Sequence, residues 1–144
     1  MKTLLAILSA TLTLAAVAGA QSINQDKGPN TAMLKAVIHV NFADSERQEH
    51  ALGNIENILK EVPAAKVEVV CHGSGIGLVL IKGAKHSEKM AALIQQGVHF
   101  VACENTMKKK AIKKEELVTG VTTVPSGAVE ILRKQQEGCG YFKP

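Results

Sequence analysis

The chain reads as an α/β domain, a three-layer sandwich in which a mostly parallel sheet of about five strands carries helices on both faces. Two observations predict it. Short β-branched runs alternate with segments whose apolar residues recur at helical spacing, the pattern of right-handed βαβ units. The first strand candidate is also almost continuously apolar, as expected of a strand covered on both faces.

The elements follow in order from residue 34, and two segments precede them. Lys2, the apolar stretch Leu4 to Val17 and the small residues Ala18-Gly19-Ala20 make residues 1–20 a cleavable signal peptide. That apolar stretch is too short to span a bilayer, which takes roughly 20 residues. The expectation is export to the periplasm, with no membrane attachment after cleavage and 124 of the 144 residues remaining. Residues 21–33, "QSINQDKGPNTAM", are polar and aperiodic around Gly28-Pro29, and predict a flexible arm. The folded domain is expected over 34–144.

"KAVIHVNF" at 35–42 is the first strand. Ser45 and Gln48 then form a capping-box pattern ahead of Leu52, Ile55, Ile58 and Leu59, whose helix Pro63 ends. "KVEVVC" at 66–71 is the second strand, closed by the glycine-rich turn "HGSGIG". Ser87 caps a helix carrying Met90, Leu93 and Ile94, stopped by Gly97. "VHFVAC" is the third strand and "VTTV" at 121–124 the fourth. Val129, Ile131 and Leu132 mark a last helix that closes near Gly138, before a terminal "GYF".

Composition excludes some functions. The formal charge is only +4, with three Phe, one Tyr and no Trp, so the clustered cations and stacking aromatics of a nucleic-acid surface are missing. "HGSGIG" lacks the third glycine of a dinucleotide fingerprint, no G-K-[ST] follows it, and Ser74 has no glycine two residues before it. No C-x-x-C or H-x-x-x-H spacing supports a metal, although Cys71-His72 with Cys103 would suit a soft one. Neither metal nor cofactor is expected.

What remains is thiol chemistry. Three cysteines, Cys71, Cys103 and Cys139, leave at least one unpaired in an exported chain. Folds of this class bind ligands beyond the carboxyl ends of their strands, and Asn41, Cys71-His72 and Cys103 all fall there. After Cys103, either Asn105 or Thr106 can cap a helix, and partial positive charge at that helix start favours the thiolate. Lys108, Lys109, Lys110, Lys113 and Lys114 add a cationic field. The plainer reading is that Cys103 is a small buried hydrophobe beside a solvated helix face. His39 and His99 read as core or interface histidines, His50 and His86 as surface ones. Cys139 is either a resolving thiol or a bystander.

From Val37 onward the chain resembles the DsrE/DsrF-like family, in particular its exported single-domain branch. The resemblance is carried by "VIHVNF", "LGNIENIL", "VEVVCHGSGI", "GVHFVACENTM", "VTTVPSGAVEIL" and "QEGCGYFKP". It implies a compact α/β fold assembled as a homo-oligomer, trimer or hexamer. It also implies that Cys103 matches the persulfide cysteine of sulfur-relay members, with His72 and Gly73 in the turn beside it. Cys71 and Cys139 stand where no family cysteine is expected. The function so implied is a periplasmic persulfide carrier, with a donor or acceptor protein as partner and no turnover of its own. In it Cys103 reacts, His72 polarises the group, and the amides of Glu104, Asn105 and Thr106 hold the anion; Asn41 and Gly73 complete the binding set. The alternative is an oligomeric binding module that offers the strand-end pocket to a small ligand, a metal or a protein partner.

Overall fold

The computed structural model describes residues 33–82 and 85–144. The expected signal peptide and all of the expected arm except Met33 lie outside them. Five strands form one sheet in the order β4-β3-β2-β1-β5: β1 Lys35–Val40, β2 Lys66–Cys71, β3 His99–Cys103, β4 Thr122–Val124 and β5 Gly140–Phe142. All four neighbouring pairs are parallel, so the α/β sandwich with helices on both faces stands as expected. The chain steps outward from β1 to β4 and then crosses back to place β5 on the far side of β1.

Helices α1 (Ser45–Glu61) and α2 (Ser87–Gln95) cover one face. There Ile38, Val40, Val69, Cys71, Phe100 and Ala102 pack with Leu52, Ile55 and Leu93 in the main core. The short α3 (Glu104–Lys110) adds Met107 to the same core. Among the described residues the other face is covered by α4 (Gly127–Gln136), over a small cluster of Val37, Val70, Val101 and Ile131. Side chains alternate across a strand, so His39, His72 and Cys103 belong to the α4 face and Cys71 to the other.

Several local expectations are corrected. β1 stops at Val40, two residues before its expected end. The α1 cap is Asp44, whose carboxylate accepts the Arg47 amide at 2.7 Å. Gln48 turns inward and donates to the Phe42 carbonyl at 2.9 Å, so the Ser45–Gln48 box does not form. "HGSGIG" is no simple turn: Gly73–Val79 winds as a 3-10 helix. Its Gly75 lies against the end of β1, where an added Cβ would meet Asn41 Cα at 2.8 Å and clash with the Val40 carbonyl. Ser87 is the first residue of α2 rather than its cap. His86 is half-buried and paired with Glu49 at 2.7 Å, not a free surface histidine. On α4 only Ile131 of the three apolar residues faces the sheet; Val129 and Leu132 are exposed.

Candidate functional site

Parallel register brings the site together. β2 and β3 pair Val70 with Val101 and Cys71 with Ala102, so the next step sets His72 beside Cys103 at the carboxyl end of the sheet. Val70, Val101 and their neighbours are apolar and fill the space beneath α4. The two polar side chains fall where the apolar layer runs out.

Cys103 itself is the N-cap of α3, with an extended backbone, and Glu104 already belongs to the helix. This corrects the expectation that Asn105 or Thr106 caps it: no side chain does. The consequence is chemical, because the sulfur rather than a capping oxygen meets the unpaired amides of the first turn. A second helix start closes the site from above. Gly127, the first residue of α4, is so near that a Cβ on it would lie 3.1 Å from His72 Cβ and 3.3 Å from Cys103 Cβ.

Burial is the largest single influence on the Cys103 thiol and pushes its pKa up. It is outweighed by hydrogen bonds from the Gly127 amide, the Thr106 hydroxyl and the Thr106 and Asn105 amides, which hold the thiol below its ordinary value. The Asn105 amide is shared with the Pro125 carbonyl at 3.3 Å. Thr106 Oγ1 also accepts the Gly73 amide at 3.0 Å, which ties the turn after β2 to the thiol's own helix. No lysine is among the main causes of this shift. Lys108, Lys109 and Lys110 occupy the last turn of α3, and Lys114 sits 3.7 Å from Glu104.

The other expected site residues divide. His72, Gly73, Asn105 and Thr106 surround Cys103. Glu104 turns its carboxylate away, accepting the Thr123 hydroxyl at 2.7 Å. Asn41 follows β1, two strands from β3 and therefore roughly 9–10 Å to the side. Cys71 is fully buried on the opposite face, where desolvation pushes its thiol up to about 12. Cys139 precedes β5 at the amino end of the sheet, a strand length of roughly 15 Å from Cys103, so it cannot resolve a disulfide with Cys103 in the same chain. No three His, Cys, Asp or Glu side chains gather as a metal site among the described residues.

Three participants escaped the sequence reading. His39, on β1, places Nε2 2.7 Å from His72 Nε2 and Nδ1 2.7 Å from the Tyr141 hydroxyl of β5. The signal for His39 was a lone polar residue at an inward position of an apolar strand; Tyr141 gave none, since nothing local shows that β5 lies beside β1. Gly127 was likewise missed, although "PSG" directly after a strand is a helix-start pattern.

Comparisons with other proteins agree with this architecture. A protein of unknown function, MTH1491 from Methanobacterium thermoautotrophicum, superposes with a TM-score of 0.74 at 30% identity, over 77% of this chain and 99% of that one. The ychN protein from E. coli superposes with a TM-score of 0.68 at 17% identity, over 78% and 100%. BT1422 from Bacteroides thetaiotaomicron, a conserved protein of unknown function, gives 0.63 at 11% identity, over 76% and 94%. No curated protein matches the chain. The profile of the DsrE/DsrF-like family matches residues 30–144, and the chain belongs to that family.

Proposed function

We propose that the protein is an exported, homo-oligomeric carrier of sulfane sulfur that loads the atom on Cys103 as a persulfide. Family membership supports the chemistry, since the family is associated with sulfur relay. The observation that carries the proposal is the set of hydrogen bonds from Gly127, Thr106 and Asn105 converging on a thiol at a strand end. Four donors aimed at one sulfur favour its anion, and an anionic sulfur is the nucleophile in exchange at sulfur.

In loading, the Cys103 thiolate attacks the outer sulfur of a donor R–S–SH. An Sγ–S bond forms as the donor's S–S bond breaks, and the electron pair of that bond leaves on R–S⁻. The sulfur moves without net oxidation or reduction, and R–S⁻ then takes a proton. The product on Cys103 is the neutral Sγ–SH, the amides that held the thiolate lie beside its inner sulfur, and His72 polarises the incoming group. Unloading is the same exchange run toward an acceptor thiol.

Export to the periplasm is supported by residues 1–20, assembly as a trimer or hexamer by the family resemblance, and an apolar contact face by the exposed Val129 and Leu132 on the outer side of α4. The deciding experiment exposes the purified protein to polysulfide and reads intact mass. Wild type should gain the mass of sulfur atoms on Cys103, and Cys103→Ser should gain none there while keeping its fold. Equal uptake by both would leave the protein as a binding module with an inert Cys103.

A further inference from the structure

The His39–His72–Tyr141 cluster is not needed to make the thiolate, yet it is a continuous line of polar side chains on the α4 face. His39 Nε2 and His72 Nε2 lie 2.7 Å apart, with ring centroids at 4.7 Å and planes 17° apart. At 2.7 Å between the two Nε2 atoms the rings cannot lie face to face at van der Waals spacing, and the near-parallel imidazoles are joined by a hydrogen bond between those nitrogens. Such a bond requires one Nε2 to carry hydrogen and the other to be bare. The Tyr141 hydroxyl continues the line at 2.7 Å from His39 Nδ1, and Tyr141 is 45% exposed. With Nε2 of His72 engaged, Nδ1 is the ring nitrogen left for a reacting group, and His72 flanks the Gly127 gap together with Cys103.

We propose that Tyr141, His39 and His72 form a proton relay from solvent to the sulfur site, with His72 as the general acid of loading and the general base of unloading. The proposal rests on the sulfur-transfer reading above and supplies the proton that reading leaves unassigned. In loading, Tyr141 O–H donates to His39 Nδ1, His39 Nε2–H donates to His72 Nε2, and His72 carries its hydrogen on Nδ1. As R–S⁻ leaves, it takes that proton. His72 Nε2 takes the proton of His39 Nε2, His39 Nδ1 takes the tyrosine's, and the tyrosine is reprotonated by water or a buffer acid. Every tautomer is now reversed, and His72 Nδ1 is bare. An acceptor thiol gives its proton to Nδ1, attacks the outer sulfur of the persulfide, and returns Cys103 to thiolate. The protons run back along the line to solvent, and the starting tautomers are restored.

Burial disfavours the charged form of both rings, and Lys143 nearby does so further. A relay through neutral imidazoles moves a proton without placing a cation in the site. His39 and Tyr141 act through His72 and are positioning residues; His72 alone would touch the reacting group.

A leaving-group comparison on full-length mature protein carrying Cys139→Ser tests the relay. Cys103 is reacted with dithiodipyridine, whose leaving group needs no added proton, and with hydroxyethyl disulfide, whose alkyl thiolate does. Tyr141→Phe and His39→Gln should each slow the alkyl disulfide by about tenfold or more, within the usual range for a lost general acid, and change the pyridyl reaction less than twofold. Having two variants guards against one failing to fold. If both disulfides slow by one common factor, or neither slows, the relay is wrong. Sulfur uptake from polysulfide is read separately. An intact leaving-group effect without uptake would sink the carrier reading and leave the relay standing.

Discussion

Gly127 stands against Cys103 so closely that a Cβ on the glycine would come within 3.3 Å of the cysteine's own, while the glycine's amide hydrogen-bonds the sulfur. One residue thus provides both the donor and the room for it. The Gly127→Ala substitution should keep the helix, because φ at Gly127 is not in the left-handed region. The new methyl must nevertheless displace His72, Val70 or the thiol. The expected outcome is a higher Cys103 pKa, read from alkylation rate against pH, with about 1–2 kcal/mol lost in urea denaturation.

Thr106 gives its hydroxyl to the sulfur and accepts the Gly73 amide at 3.0 Å. Thr106→Val keeps the shape and removes both bonds. Alkylation of Cys103 should shift to higher pH, and stability should fall by about 1 kcal/mol for the amide left without its acceptor. Thr106→Ser should keep the low alkylation midpoint. If Val and Ser behave alike, the hydroxyl does not tune the thiol.

His39 has its pKa lowered from 6.5 to about 4, by burial first, then by His72 and Lys143. Its unfolded form therefore binds protons across a range where the folded form does not. Stability from this group is present above about pH 6.5 and lost as pH falls toward 4. Urea midpoints for wild type should drop between pH 7 and pH 5, and His39→Gln should drop less. His72, lowered in the same direction, keeps part of the acid loss in that variant. An equal drop in both proteins would show that His39 does not contribute.

Cys71 lies wholly within the main core, where burial pushes its thiol up to about 12. It should resist alkylation in the native protein at pH 8 and react only on unfolding, whereas Cys103 reacts at once. Peptide mapping after a timed exposure checks this. Cys71→Ser should cost about 1–3 kcal/mol through its buried hydroxyl.

Gly75 meets only backbone at the end of β1, with Asn41 Cα 2.8 Å from where its Cβ would be. A main chain held to β2, with Val40 opposite Cys71 and its carbonyl accepting the His72 amide, cannot yield cheaply. Gly75→Ala should lower stability by about 2–3 kcal/mol, far more than Gly77→Ala two residues on, where nothing lies within 4 Å. Comparable losses at the two positions would contradict the close approach.

Local pattern carried a great deal. The β-branched runs, the helical spacing of Leu52, Ile55 and Leu59, and the break at Gly97 depend on neighbours within a few residues, and each produced its element. The position of Cys103 at a strand end was legible for the same reason, since a strand that stops and a helix that starts are both local events. Nearby residues also misled where two short polar side chains competed for one role. Asp44 won the α1 cap from Ser45 because its carboxylate reaches the Arg47 amide. No side chain won the cap of α3, so the thiol took that place.

Everything that depends on strand order was decided by the tertiary structure alone. That β5 returns to lie beside β1, and so puts the Tyr141 hydroxyl 2.7 Å from a histidine 102 residues earlier, is a matter of strand order that no local pattern encodes. That Gly127 supplies an amide to Cys103 follows from α4 covering its face with its first turn over the carboxyl ends of β2 and β3. The sequence by itself determined the order of the elements and the place of Cys103 at a strand end, because propensity and period act over a few residues. The donors that lower the pKa of Cys103 come from two helices, α3 and α4, and only the packed sheet brings both helix starts to one point.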